Sequence, residues 1–597
     1  SNTSAMSVET SQGSAINNNI ITVAANKLKD NGVNAGMYLS ADTEKSAKIV
    51  NNGQININTS YSVGMGSASS YNSRIENAEN GVINLNADKT IGLYASGNSN
   101  LFNNGTINVN SDDSIAIFSA GTGTGQNSAL ISNSIINVKG KNAIIYQING
   151  SAEINQNGRI NIDDSVKSTA TYYYVNGSLN LKNIDLGIDS GNFVKIGSNG
   201  NGTLSIDETT SLSISKQGTI INAENGATSI INKGTLSLPS GSGSYVMLLD
   251  KSAKAENYGT INVNGENNYG VYIKSGEFSN KSISTGPEQP TINVKGNNNY
   301  GIFAINDAKI TNEGNINVSG NDNYGLYSQS SEDITNSGTI TLTGSNNYGI
   351  YSVAEGKIIN SGRINVQGSG NIGIYTSQAN VENNGTINVS SGSTGIKAEK
   401  AGLVKNNGVI NGSGTDIDQP SDETSQASLA AKNFLQVKTK GIIKNNGLIT
   451  AKNFNFDESN DGSGQIVVGK NGTYKAQSLS GTVVADADIS QNGFNTVYRN
   501  DNSFIGKDNG LNIVSGSYLF NAQKALNSNG NTDVVMTMKS FNELIKIDVR
   551  PQCDTRDAKD ENGKIIKVPY LSWGKCVKLL HENGANDVWY APVECPT

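Results

Sequence analysis

Apolar residues along this chain come in very short runs, and within each run they alternate with polar ones. Thr260-Ile-Asn-Val263 is typical, with two β-branched residues two apart and an asparagine between them. A period of two marks a strand with one face in a core, so Ile261 and Val263 are expected inward and Asn262 outward. Gly, Asn, Asp or Ser closes each run, as turn residues do. Stretches free of glycine are too short, and β-branched residues too frequent, for much helix.

The runs also repeat. The block Asn-Asn-Tyr-Gly-Val-Tyr at Asn267–Tyr272 returns at Asn298–Phe303, Asp322–Tyr327, Asn346–Tyr351 and, degraded, at Gly370–Tyr375. Its glycines are Gly270, Gly301, Gly325, Gly349 and Gly373, at steps of 31, 24, 24 and 24 residues, the first lengthened by the insert Ser284–Pro290. Tyr269, Tyr300, Tyr324 and Tyr348 precede the first four. A second block, Asn-x-Gly-x-Ile-Asn-Val, runs out of phase with the first, around Gly53, Gly105, Gly259, Gly314, Gly362 and Gly385, with variants at Gly81, Gly158, Gly338, Gly408 and Gly447. Lys309–Asn312 and Asp333–Asn336 supply a third strand signal. The Asn-Gly pairs are expected to be turns, because both residues tolerate positive φ.

Three short strands in one repeat cannot bury an apolar face alone, but stacked repeats can. The pattern therefore predicts an all-β fold, a right-handed parallel β-helix (β-solenoid) of about 24-residue coils. Roughly 20 coils at ~4.8 Å each would give a rod on the order of 100 Å. Equivalent asparagines are expected to stack as amide ladders. A hairpin sandwich is the competing fold, since Asn-Gly also suits tight hairpins. A single period holding several strands argues for the solenoid.

Composition narrows the function classes. Of 597 residues, 67 are Gly, 35% are apolar and 16% charged, which is thin for a compact core yet too regular for disorder. The net charge of −7 argues against a nucleic-acid partner for the repeats. No apolar run approaches the length of a membrane-spanning helix, and Ser1–Ser14 is small and polar with no signal-peptide pattern. A secreted protein with this start would be a mature or truncated form.

The candidate catalytic and metal groups are sparse, and the reading assigns no catalytic, cofactor-binding or metal residue. His581 is the only histidine. It is followed by Glu582, but position 585 is alanine, so the zinc-protease pair is incomplete and a solvated surface histidine is the better reading. Asp457–Gly462 resembles half of a calcium loop, yet Val468 stands where the closing glutamate belongs, which favours a polar excursion between coils. Asp486 and Asp488, and Asp416 and Asp418, are carboxylates two apart, without the aromatic or arginine neighbours that would hold a sugar for hydrolysis. Tyr269, Tyr300, Tyr324 and Tyr348 could form an aromatic stripe for sugar or protein binding. A residue present in every repeat usually serves the repeat, so stacking at a corner of the solenoid is preferred.

Asn383-Asn-Gly-Thr-Ile-Asn-Val389 and Ser345-Asn-Asn-Tyr-Gly-Ile-Tyr351 resemble passenger repeats of large type V autotransporter adhesins, especially the fusobacterial kind, over about residues 15–545. Asp533–Ile545 is similar to the junction where such passengers give way to their membrane anchor. The resemblance implies a passenger displayed outside the cell, attached to the outer membrane in a full-length form, that binds a host-cell or bacterial surface protein or glycan. Its own outer-membrane barrel is an implied partner, which the 52 residues after Ile545 are too few to form. A carbohydrate-active β-helix and a cytotoxin-like passenger are the alternatives.

The expected organisation is a polar segment or cap over 1–20, β-helical repeats over 21–545 and a foreign tail over 546–597. The tail holds Cys553, Cys576 and Cys595, both tryptophans, His581 and four of the eight prolines. Cysteine spacings of 23 and 19 match no zinc or redox motif. The tail is predicted as α/β or irregular, with an amphipathic helix over Tyr570–His581. Ile547–Pro551 and Lys567–Cys576 resemble the opening of a phage-type single-strand DNA-annealing family, of which only the first part would be present.

Overall fold

Short alternating strands become a stable structure here because each lies against its own equivalent one coil away. A computed structural model describes residues 3–540, apart from intervening segments of which the longest is 413–434. Beyond 540 it describes only 552–559 and 565–572. The chain divides into two units, Ser1–Ile374 and Tyr375–Thr597.

In the first unit a coil consists of three strands, for example Asn315–Val318, Tyr324–Ser328 and Ile334–Asn336, after which Thr339–Leu342 opens the next. Each strand pairs in parallel with its equivalents, so three ladders run along the unit. Tyr300 pairs with Tyr324 and Tyr324 with Tyr348, Ile310 with Ile334 and Ile334 with Ile358, Ile316 with Ile340 and Ile340 with Ile364. This is a parallel β-solenoid. The step is 24 residues from Asn312 to Asn336 to Asn360, 28 from Asn56 to Asn84 and 31 from Asn262 to Asn293. At these steps the ladder register survives; it shifts within the strand pair Asp185–Ile196 and Ser211–Ala223, between Ile188 and Ser190.

The alternation predicted from sequence sets the core. Ile261, Val263, Ile316, Val318, Leu326, Ile340 and Leu342 are buried, while Asn262 is half-exposed. Each such side chain contributes about 1.5–3 kcal/mol. Asparagines form three kinds of ladder. In the first, Asn257, Asn280, Asn312, Asn336 and Asn360 are buried and each amide donates to the next at 2.7–2.8 Å. In the second, the buried asparagine before each tyrosine accepts a neighbouring backbone N–H: Asn299 N–H to Asn323 Oδ1 and Asn323 N–H to Asn347 Oδ1, both 2.8 Å. Asn323 Nδ2 closes the turn on Gly296 O and Ser319 O, at 2.8 and 2.7 Å. In the third, Asn161, Asn137, Asn108, Asn84 and Asn56 run along the outside. Buried amides are stable only when paired, and these ladders pair them.

The positive-φ turns are not where Asn-Gly predicted them. Gly314, Gly338 and Gly362 are absent from the left-handed region; what requires glycine there is contact, since a Cβ on Gly338 would lie 2.0 Å from Gly314 O. The left-handed residues lie at the turn before the tyrosine strand. Gly296, Gly320, Gly344 and Gly368 have φ of 84–102°, and two residues further on Asn298, Asp322 and Asn346 have φ of 53–56°. The amides of these last residues point at the next coil, as from Asp322 N to Ser345 O at 3.1 Å.

Two boundaries move. Within the expected N-terminal polar segment or cap, 1–20, Thr3–Val8 and Ser14–Asn17 already pair in parallel with Asn34–Leu39 and Lys48–Asn51 as coil strands. The solenoid also stops before Ile545. In the second unit, parallel pairing continues from Val381–Asn383 through Leu403–Asn406 and Ile442–Asn445 to Gln465–Val468, with a 39-residue step at Asn406–Asn445. Thr473–Ala485 pairs in parallel with Val497–Ser515, but Thr532–Met538 is antiparallel to both Val497–Ser515 and Phe520–Leu526. The reversal comes from a tight turn in which Gly530 N–H donates to Asn527 O at 3.0 Å with φ +77° at Gly530.

The tail helix is also corrected. Tyr570, Leu571 and Ser572 end a strand, Ile565–Ser572, paired antiparallel with Gln552–Lys559. The β-branched run Ile565-Ile566-Lys567-Val568 extends the backbone into this stretch, against the short helical period. Cys553 lies in the first of these strands; Trp573, Cys576, His581, Trp589 and Cys595 lie outside the described residues. So does Phe541–Ile545, the end of the expected passenger junction.

Candidate functional site

The tyrosine strand places two side chains of each coil on the outside. In Tyr324-Gly-Leu-Tyr-Ser328, Tyr324 and Tyr327 are half-buried, whereas Gly325, Leu326 and Ser328 face inward. Strict alternation would leave an even spacing; here the outward residues are three apart, so the strand carries a local irregularity at the glycine. Stacking of coils turns this into two rows. Tyr245, Tyr269, Tyr300, Tyr324 and Tyr348 stack with centroids 4.9–5.1 Å apart and planes within 13°. Tyr272, Phe303, Tyr327 and Tyr351 form the second row at 4.8–4.9 Å. Between rows the rings meet edge to face, as Tyr324 and Tyr327 do at 5.3 Å and 82°. The negative ring faces and positive edges make this herringbone favourable.

The ladder glycines sit beneath the rows. A Cβ on Gly270, Gly301, Gly325 or Gly349 would come within 2.4–2.8 Å of the carbonyl oxygen of the next ladder glycine, ending at Gly373. For Gly325 close approach, not positive φ, is the requirement. Burial, followed by repulsion from neighbouring tyrosines, pushes the Tyr269 hydroxyl up to about 12 and raises Tyr300 and Tyr324 as well.

Nearer the N-terminus the same face opens into a cavity of about 540 Å³, lined by Tyr38, Tyr61, Tyr94, Lys89, Gly66 and the serines Ser4, Ser7, Ser40 and Ser62, among others. Tyr38, Gly66 and Tyr94 are consecutive members of the second outward row. Gly66 has no side chain, and the Tyr38 ring lies over it, with Cδ2 3.2 Å from where a Cβ would stand. Lys89 Nζ lies 5.8 Å from the Tyr61 ring centroid. Sequence reasoning missed this site because its residues come from coils whose repeat blocks are degraded.

Among the described residues the carboxylates form no comparable centre. Asp486 receives Lys444 Nζ at 2.5 Å, and Asp457 accepts the Thr482 N–H at 2.8 Å beside a single helical turn, Phe456–Ser459. Asp488, Asp416 and Asp418 lie outside the described residues. Among the described residues every aspartate whose pKa is clearly shifted is held low. Ser165 does this to Asp163 through backbone and hydroxyl donors, and Thr209 does it to Asp207. At Asp533 burial works in the other direction, but the Asn502 N–H, Arg499 and Asn527 more than offset it. Among the described residues no group of three or more His, Cys, Asp or Glu side chains is placed to hold a metal ion, and no helix is long and apolar enough to cross a membrane.

Fold and site together define a repeat protein, a parallel β-solenoid with an aromatic outer face. Residues 176–433 are similar to a family described as the BigA third pectate lyase-like domain, a match to less than half of the 597-residue chain. The matched segment contains the tyrosine rows and leaves the cleft at Tyr38–Tyr94 outside it. No curated protein matches the chain.

Proposed function

We propose that this chain is an attachment protein displayed on or released from a bacterial surface, binding host cells or other bacteria without catalysing a reaction. The observation that carries the reading is the aromatic outer face of the solenoid, a surface suited to binding that runs over the five consecutive coils from Tyr245 to Tyr348 and is maintained by the fold itself. The likeness of residues 176–433 to a BigA pectate lyase-like domain supports it. So does the resemblance of the repeats to autotransporter passengers, which would place the protein outside the cell and, in full-length form, at the outer membrane.

The carbohydrate-active reading is the second, favoured by the words pectate lyase-like alone. Such an enzyme needs an acid or base tuned toward neutrality, and the shifted aspartates lean the other way. Beads coated with the whole chain should attach to epithelial cells or to bacteria, and albumin-coated beads should not. Equal attachment of both would overturn the proposal. Release of unsaturated products from polygalacturonate, with or without calcium, would establish the enzyme reading in its place.

A further inference from the structure

The turn before the tyrosine strand contains a left-handed residue in coil after coil, at the position two residues before the first outward row. Asp113, Asn142, Asn267, Asn298, Asp322 and Asn346 occupy it with φ of 53–56°, and Gly243 and Gly370 with φ of 66° and 69°. These are the residue types that adopt this conformation with least strain. The coils at Thr169, Ser190 and Gln217 have no left-handed residue there, and in two adjacent coils the left-handed residue is of another type: Tyr61 has φ 58° and Lys89 φ 59°. At Lys89 the backbone bond is the usual one, its N–H donating to Asp112 O at 3.1 Å, whereas the Tyr61 N–H donates to Lys89 O, one residue further on than at the other corners, also at 3.1 Å.

Packing does not explain the exceptions, since Tyr61 is 55% exposed. Both line the cleft described above. Strained residues that the fold does not need gather at sites of function. The cleft adds the rings of Tyr38 and Tyr94 and several serine hydroxyls. Among the described residues Lys89 is the one formally charged residue that lines it, and no described carboxylate does. Its volume is that of a small-ligand site. Flat rings suit the C–H faces of a pyranose, hydroxyls suit its hydroxyls, and one ammonium suits one carboxylate.

We propose that the cleft formed by Tyr38, Tyr61, Lys89 and Tyr94 binds an acidic sugar unit of a surface glycan, with Lys89 pairing its carboxylate and the tyrosines stacking on its ring. This rests on the attachment reading and gives that reading a ligand class. Because the corner's own preferred residue is known, the test need not damage the fold. Tyr61→Asn and Lys89→Asn restore the residue type found at equivalent corners. Both whole-chain variants should melt at or above the parent temperature.

Calorimetric titration with sialyllactose, trigalacturonate and lactose is the direct measurement. The parent chain should bind at least one acidic oligosaccharide and bind lactose about tenfold more weakly; Lys89→Asn should lose about tenfold in affinity for the acidic probe and Tyr61→Asn about fivefold. Added salt should weaken the parent and leave Lys89→Asn unaffected. Three results would overturn the proposal: no binding of either acidic probe, equal binding of lactose, or full binding retained by both variants. A drop in melting temperature with unchanged binding would assign Tyr61 and Lys89 a structural role instead. The bead assay keeps the two readings apart. Attachment that survives Lys89→Asn overturns the cleft alone, and acidic-sugar binding by a chain whose beads attach to no cell overturns the attachment reading alone.

Discussion

Two stretches of the first unit solve the same packing problem in opposite ways. From Tyr269 to Ser352, each tyrosine strand puts glycine at its second position and aromatic rings on its outer face. From Ile144 to Ala223, the equivalent inward positions hold Ile145, Tyr172, Phe193 and Ile220, all buried. The positions equivalent to the first outward row hold Ile144, Thr171, Asn192 and Thr219, of which Thr171 and Thr219 are buried. The rings have moved inside: Tyr146 stacks on Tyr173 at 5.4 Å, and Tyr172 meets Phe193 at 5.0 Å. The parallel pairing is the same in both. Where the core lacks a side chain, outer rings cover the strand from the solvent side; where the core is full, the outside can be polar. The apolar surface that a coil buries can thus come from either side of its backbone, and only the outer solution leaves a surface on which a ligand could stack.

This comparison can be broken at its strongest point. Phe193→Ala should cost about 3–5 kcal/mol, as loss of a fully buried ring does. Because each coil contacts only its neighbours, hydrogen exchange and protease cleavage near residue 193 should rise more clearly than the global melting temperature falls. The reverse substitution comes next. Gly325→Val would set a Cβ 2.8 Å from Gly349 O and 3.2 Å from Val318 Cγ2, so a loss of about 2–3 kcal/mol is expected in chemical denaturation. A neutral outcome would mean that a glycine coil can widen to the other geometry unaided.

Tyr324→Ala removes two stacked neighbours and should cost about 1–3 kcal/mol. The same rows predict a pH dependence. The Tyr269 hydroxyl is raised from its ordinary value to about 12 in the folded protein. Its stabilising contribution is therefore complete below pH ~10 and lost as the pH rises towards 12. A tyrosinate absorbance titration should show a late group of transitions coincident with loss of the β-sheet signal, and Tyr324→Ala should shift it to lower pH. The smallest effect is expected inside the middle coils. The Tyr146 hydroxyl is buried with no hydrogen-bond partner among the described residues, so Tyr146→Phe should be neutral or stabilise by up to about 1 kcal/mol. A clear destabilisation on thermal melting would show that the hydroxyl is satisfied after all.

How much of this was legible depends on how faithfully a coil repeats. The period, the strand signals and the inward Ile261 and Val263 could be read directly, because identical neighbours write the same pattern again. The turn chemistry could not. Asn-Gly in isolation signals positive φ, but in a solenoid Gly338 is set by the carbonyl of the coil below, and the left-handed positions were carried by Asn298, Asp322 and Asn346. Asn323 and Asn347 looked like ordinary turn residues, although their side chains hold the backbone of adjacent coils together. The antiparallel end at Thr532–Met538 and the strand Ile565–Ser572 have no repeat to reveal them. The cleft stayed hidden for a related reason: Tyr61 and Lys89 are informative only as exceptions to a rule that the fold must first supply.

Each asparagine ladder is also electrically directional. Along the buried ladder every amide points the same way, Asn257 to Asn280 to Asn312 to Asn336 to Asn360, each nearer the N-terminus donating to the next. Along the outer ladder the sense is reversed, Asn161 to Asn137 to Asn108 to Asn84 to Asn56. Each is a head-to-tail line of dipoles whose members polarise one another. A single amide cannot be turned over without facing donor to donor on one side and acceptor to acceptor on the other. Each line therefore acts as a ratchet of orientation, and a coil added out of sequence or with inverted amides would find no partner on the growing end.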